Sequence, residues 1–356
     1  MFTALPTARV RGTAPEPAAA AAVAAANVGP SPDDPALSGL VARHGLPLVV
    51  LDLRRAAQQY RALVAAFPAV QVHYDVSALA HPALVRAIAA AGGHFLMTHE
   101  RALPALAAGG ADVSEVLHAT AVTHAHELVA AYDAGVRRFI VDGRRDLELF
   151  AGAPRDVRVI VRLAQAAARS AHLHAPGIPA RDAVRALRDA SALGIRVSGL
   201  SIGVAPNATS ADYVQAIAQA AGVMADTYAA TGDRLRVLDL GDAFPGRAAH
   251  PGERAELARA IRALVSPGTS GVVVTASASH AVIVGCITVV AGTVERDVDP
   301  LVASECIDSG AGVVVLRDED RLPPTARIPF FRAVLESRHR VLGNGSRTDA
   351  TWSPAG

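Results

Sequence analysis

Lysine is missing altogether from this 356-residue sequence; the 34 positions counted as lysine plus arginine are all arginine. A chain without lysine carries no side-chain primary amine. That excludes Schiff-base catalysis on a lysine, a P-loop lysine and a lysine general base. Cysteine is almost absent as well, and Cys286 and Cys306 alone make neither a disulfide framework nor a cysteine zinc site. Aromatic residues are 4% of the chain and the formal net charge is +1. Nucleic acid is therefore not an expected partner, for want of both a basic excess and stacking surfaces. Long apolar runs are lacking too. The alanine-rich stretch from Ala18 to Ala26 is far too short to span a bilayer, so no membrane partner is expected. Pro15-Glu16-Pro17 sits where the apolar region of a signal peptide would begin. Residues 1–33 read as a disordered Ala/Pro-rich tail, and the protein as cytoplasmic.

What the sequence does contain is a repeating pattern. A short helix is expected from Pro35 to His44, then a strand at 47–51. Apolar, strand-like runs follow near 70–76, 93–97, 115–119, 137–141, 157–163, 197–203, 235–240 and 271–276. Helical patterns lie between them, as at 54–67, 81–91, 101–108 and 210–230. Regular strand–helix alternation favours a parallel sheet, and this number of units predicts an α/β fold of the (β/α)8 TIM-barrel type. An open doubly wound sheet is the alternative, but no Gly-x-Gly-x-x-Gly follows the first strand. Beyond residue 280 the pattern changes. Val282–Val294 is rich in β-branched residues, and Gly312–Leu316 and Arg340–Leu342 are further short runs. The expected organisation is a tail at 1–33, a barrel at 34–280, a small, shortened β domain at 281–343 that borrows the strand at 47–51, and a flexible end at 344–356.

Several segments together resemble the ornithine/diaminopimelate decarboxylase family, the fold-type III pyridoxal phosphate (PLP) enzymes with an alanine-racemase-like barrel. They are Leu40-Val-Ala-Arg-His-Gly-Leu-Pro-Leu-Val-Val-Leu-Asp-Leu53, Val141-Asp142, Val161-Arg162 and Leu238-Asp-Leu-Gly-Asp-Ala-Phe-Pro-Gly246. The resemblance covers about residues 36–282, and its last segment is the most specific. It implies where the family's chemistry would stand. The Tyr-Ala-Val-Lys motif falls on Tyr74-Asp75-Val76-Ser77, so the aldimine-forming lysine becomes Ser77. The acidic residue of the next strand falls near His94, with Glu100 matching the following glutamate. The ring-stacking histidine becomes Gly203. The triple-glycine phosphate loop becomes Gly241-Asp242-Ala243, and the glutamate that pairs with the pyridinium nitrogen becomes Ala276. Covalent anchor, ring stack, pyridinium partner and phosphate cradle are all replaced. The resemblance thus describes a degenerate member, and no cofactor is expected.

In place of the missing groups, strand alternation puts His73, Asp75 and Ser77 on one side, facing the barrel mouth. His94 comes from the next strand and His118 from the one after. These residue types suit acid–base chemistry, so His73, Asp75, Ser77 and His94 are the catalytic candidates. Asp75, His94 and His118 also have the composition of a 2-His-1-carboxylate metal site. A packed polar remnant is the plainer reading of the same residues. His118, Arg162, Gly203, Asp242, Ala276 and His280 complete the expected pocket. His124-x-His126 and His172-x-His174 are more simply solvated. Three readings stay open: a noncatalytic paralogue acting as a regulatory or scaffolding partner, as a homodimer or a heterodimer with a related protein; a repurposed enzyme acting on a small metabolite; and a small-molecule binding protein.

Overall fold

The structure, a computed structural model, describes residues 39–40, 42–43, 48–120, 122, 124–164, 177–203, 209–241, 251–264, 271–291, 307–308, 313–316 and 340–341. The tails at 1–33 and 344–356, His172, His174, Cys306 and Asp242 lie outside the described residues, as does the side chain of His280.

Strand β1 (Leu48–Asp52) runs into α1 (Leu53–Ala66), whose first turn is capped by Asp52: its Oδ1 accepts from the Arg55 amide at 2.9 Å. The chain then alternates. It continues through β2 (Val70–Asp75), α2 (Pro82–Ala89), β3 (His94–Met97), α3 (Leu103–Ala108), β4 (Leu117–His118), α4 (Ala125–Asp133), β5 (Arg138–Val141), α5 (Arg144–Glu148) and β6 (Arg158–Ala164). A two-residue strand β7 (Ile178–Pro179) precedes α6 (Ala180–Ala192), β8 (Val197–Ile202), α7 (Ser210–Thr231), β9 (Val237–Asp239), α8 (Pro251–Leu264), β10 (Val273–Ser277) and α9 (Ser279–Ile283). Local chemistry marks these boundaries. α2 begins with proline behind a His81 cap. α7 opens on a Thr209/Asp212 capping box and ends on Gly232, whose φ of +79° a glycine adopts without penalty.

All neighbouring barrel strands pair in parallel. The ring closes where β10 meets β2, with Ser277 opposite His73. β7 attaches outside this ring, on β6, so the closed barrel has eight strands. Each of the eight expected runs overlaps one of them, β6 and β10 ending one residue later than expected; β7 was not among the expectations. Alternation along each strand separates two cores. Inside the ring, Leu96, Leu117, Ile140 and Ile160 pack together. Outside it, Tyr74, Met97, Phe139, Val161, Leu200, Leu238 and Ala276 face the helices in the larger core. β8 crosses β9 so closely that a Cβ on Gly199 would lie 2.1 Å from the Val237 carbonyl oxygen, which only glycine accommodates.

A second sheet has the order β12-β13-β1-β11-β14. It uses β11 (Ile287–Ala291), β12 (Ile307–Asp308), β13 (Val313–Leu316) and β14 (Arg340–Val341). β1 is antiparallel to both β11 and β13. The expected strand at 282–294 is thus shorter. Its first residues belong to α9, where Val282 and Ile283 are buried in the outer core.

Candidate functional site

At the C-terminal ends of the barrel strands the polar groups are joined to one another around the rim. Asp75 ends β2. Its Oδ1 accepts from the Ser77 amide at 2.8 Å and its Oδ2 lies 3.5 Å from Thr98 Oγ1. Its own amide donates to Ser279 Oγ at 2.7 Å. Ser77 stands on the short helical turn that follows (Val76–Ala78), and its Oγ accepts from two amides, Thr98 N at 2.8 Å and His99 N at 3.1 Å. Thr120 Oγ1 donates to the Thr98 carbonyl at 2.6 Å, carrying the chain of bonds past β3 to the end of β4.

The other half of the rim is built around Arg162 and Asp239. Arg162 Nη1 lies 2.6 Å from Asp142 Oδ1, just beyond β5. Its Nη2 donates to the Ala119 carbonyl at 3.1 Å, so this side chain reaches from β6 past β5 to β4. Burial raises the Asp142 pKa and the Arg162 charge offsets part of that rise. Asp239 is fully enclosed: Ser201 Oγ donates to it at 2.6 Å and Thr275 Oγ1 at 3.0 Å. Burial pushes its carboxyl pKa upward, against the pull of those two hydroxyls. Gly203 lies beside the Arg162 stem; a Cβ there would meet Arg162 Cδ at 3.5 Å, an ordinary van der Waals contact.

Several candidate residues are placed otherwise than the sequence suggested. His94 faces the interior, but it is the first residue of β3, so it lies at the opposite, N-terminal end of the barrel. Its ring meets that of His73 at 5.6 Å between centroids. Its charged neighbours are Glu115, ahead of β4, and Arg138, the first residue of β5, which pair with each other. His73 lies inside the ring, 3% exposed, with no hydrogen-bond partner on Nδ1. Burial, then the His94 and Arg138 charges, push its pKa down to about 3. His118 faces outward. Leu117 takes the inner side of the two-residue β4, leaving the imidazole against Phe139 in the outer core, with Nδ1 3.0 Å from the Thr120 carbonyl. Ala276 also faces outward, while Thr275 and Ser277 take the inner side of β10.

Asp75 and Ser77 are therefore together at the mouth, His73 sits deeper, and His94 and His118 lie elsewhere. Asp75, His94 and His118 do not converge, and the described residues contain no group of three or more His, Cys, Asp or Glu placed to hold a metal ion. The sequence reading missed Thr98, which carries no motif; Ser277 and Ser279 lie where the resemblance sets the family's Ala-Glu-Pro-Gly-Arg motif, Ser279 in place of its arginine, but neither was taken as a site residue. Their signal was the alternation of β10 and the turn after β3.

The residues at 53–276 match the model of the pyridoxal-dependent decarboxylase family, pyridoxal-binding domain. The lysine/ornithine decarboxylase of Selenomonas ruminantium is 28% identical over 209 residues, 58% of this chain and 53% of that protein. The chain thus spans about half the length of the curated relative it matches. Among solved structures, the lysine/ornithine decarboxylase of Vibrio vulnificus complexed with cadaverine is 27% identical. It covers 72% of this chain and 70% of its own, with a TM-score of 0.62. The arginine decarboxylase of Paramecium bursaria Chlorella virus bound to agmatine is 17% identical, covering 68% of each chain at a TM-score of 0.59, and shares the fold. No helix among the described residues is long and apolar enough to cross a membrane. With the barrel formed by the matched segment, the chain belongs to the pyridoxal-dependent decarboxylase family.

Proposed function

We propose that this protein is a noncatalytic, PLP-independent relative of the decarboxylases, acting in the cytoplasm as a regulatory or scaffolding partner of a biosynthetic enzyme. In this reading it works as a homodimer or paired with a related chain. One observation carries the proposal. Ser77, where the resemblance sets the aldimine lysine, has a hydroxyl whose oxygen already accepts two backbone amides. An imine needs an amine, and neither Ser77 nor any other side chain supplies one. The inner end of β10 offers the Ser277 hydroxyl, not a carboxylate, and Ala276 points away from the mouth. These residues do not fit a Schiff-base-linked pyridoxal phosphate. The groups around the mouth are instead tied to neighbouring strands, which supports use of the barrel as a scaffold.

The test has two parts. Purified protein mixed with PLP is expected to show no yellow, borohydride-reducible band and to release no carbon dioxide from lysine, ornithine or arginine. Co-expression with an active decarboxylase of the same family is expected to yield a complex in light scattering. A reducible band, or turnover of any of the three amino acids, refutes the noncatalytic reading. Failure of the complex to form refutes the scaffolding one.

A further inference from the structure

Arginine cannot shed its charge when it is buried, as lysine can. A guanidinium enclosed by protein therefore needs a counter-charge, and leaving it unpaired is costly. Arg55, in the first turn of α1, is such a group. It is the only buried arginine among the described residues, 8% exposed. Its Nε is enclosed and has no partner. Among the described residues the guanidinium makes no hydrogen bond and no ion pair. Asp52, three positions earlier, directs Oδ1 to the Arg55 amide at 2.9 Å and caps the helix instead. Nη1 and Nη2 are neither bonded nor enclosed, so this edge of the fork meets solvent.

The surroundings hold the fork in place. It lies along the turn Val284-Gly285-Cys286, between α9 and β11. Gly285 has a φ of +66°, which a glycine adopts without penalty. A Cβ there would lie 2.9 Å from Nη2 and 3.2 Å from Cζ, displacing the fork. Gln59, one turn further along α1, fixes the same segment. Its Nε2 donates to the Val284 carbonyl at 3.0 Å and its Oε1 accepts from Cys286 Sγ at 3.1 Å. Asp52 N donates to the Cys286 carbonyl at 2.8 Å. Burial pushes the Cys286 thiol up to about 12, so the sulfur is a neutral donor and not the counter-charge.

We propose that the open edge of Arg55 binds a carboxylate, at the junction where the barrel passes into the second sheet. An arginine that covers apolar surface with its stem and keeps its head in water accounts for buried methylenes. It does not account for an enclosed Nε. The paired N–H groups of the fork match the two oxygens of a carboxylate. A single cation, with the Asp52 carboxylate nearby, suits one negative charge over a doubly charged phosphate. The carboxylate is that of a small free acid or of an acidic side chain on a second chain. The site stands outside the barrel ring, between α1 and the α9–β11 turn, so it holds whether or not the mouth is catalytic.

The probe is sodium acetate, added to the full chain against sodium chloride at equal ionic strength and read by the melting temperature. A rise of about 2 °C or more at about 0.1 M acetate is expected for the wild type. Arg55→Met, which keeps an unbranched side chain and removes the charge, is expected to show none. Arg55→Lys keeps the charge without the fork and is expected to show less than half the rise. Light scattering separates the two sources. With a free acid, Arg55→Met has the same oligomeric state as the wild type. With a carboxylate from a second copy, Arg55→Met dissociates more readily, and acetate drives the same dissociation in the wild type instead of raising its melting temperature. A rise that Arg55→Met retains, or no rise together with unchanged self-association, overturns the proposal. So does a larger, Arg55-dependent rise with phosphate, which would assign the fork to a dianion. Neither readout uses PLP or turnover, so failure here leaves the reading of the mouth intact.

Discussion

Acid should destabilise this barrel through one residue above the others. His73 is enclosed within the ring, its Nδ1 has no partner, and Arg138 and His94 face it. The unfolded chain returns this imidazole to its ordinary value of 6.5, whereas the folded one holds it down at about 3. The native state therefore binds fewer protons than the unfolded state between those values, and stability falls as pH drops through that window. At about 1.4 kcal/mol per pH unit the whole interval amounts to roughly 4–5 kcal/mol, of which about 2 kcal/mol is lost between pH 7.5 and 5. His94, half-buried and lowered less, takes up its proton first, so its charge opposes His73 while the neutral His73 leaves His94 alone. His81 and His118 are shifted downward as well, both chiefly by burial, and steepen the same slope. The assay is urea unfolding at pH 7.5, 6, 5 and 4, comparing the wild type with His73→Leu. Leucine removes one titrating site from the interior, so between pH 6.5 and 3 the variant should lose less stability per pH unit than the wild type, by about one proton's worth of slope. Parallel curves, or a steeper fall toward acid in the variant than in the wild type, would refute the reasoning.

Three further outcomes follow from the geometry. Ser77→Ala leaves the Thr98 and His99 amides without their acceptor and should lower unfolding stability by about 0.5–1.5 kcal/mol; an unchanged urea midpoint would contradict the bracing role. Asp239→Leu strands the Ser201 and Thr275 hydroxyls inside the barrel and should cost about 2–4 kcal/mol, with Asp239→Asn milder because it keeps acceptor oxygen; equal effects of the two would speak against this. Gly199→Ala forces a Cβ into the Val237 carbonyl and should open the β8–β9 pairing, read as a loss of about 3 kcal/mol or more or as insoluble protein; a near-wild-type melting temperature would show that the strands can separate at little penalty.

Strand positions were legible because buried parallel strands are short apolar runs bounded by helical patterns, as Arg158–Ala164 and Val197–Ile202 illustrate. The side each residue faces was harder to read. β4 is only two residues long, too short for alternation to show that Leu117 points in and His118 out. At β10 a displacement of one position moves attention from Ser277 to Ala276 and thereby to the other face. His94 was placed on the correct side but at the wrong end, since a strand's start depends on pairing with its neighbours, here Phe95 beside Tyr74 and Leu96 beside Asp75. The hydroxyl network of the mouth joins residues from separate loops, and only the closed ring brings them together.

The placement of β1 has a consequence for how the chain is made. Its partners β11 and β13 are synthesised some 235 or more residues after it. At about 5–20 residues per second, the apolar Leu48-Val-Val-Leu51 segment leaves the ribosome roughly 12–47 s before either partner exists. Throughout that interval both of its hydrogen-bonding edges are open, and the barrel can close from β2 to β10 without it. Expression of chains truncated before β11 should therefore yield a closed barrel trailing a sticky strand, with aggregation set by how long that strand waits.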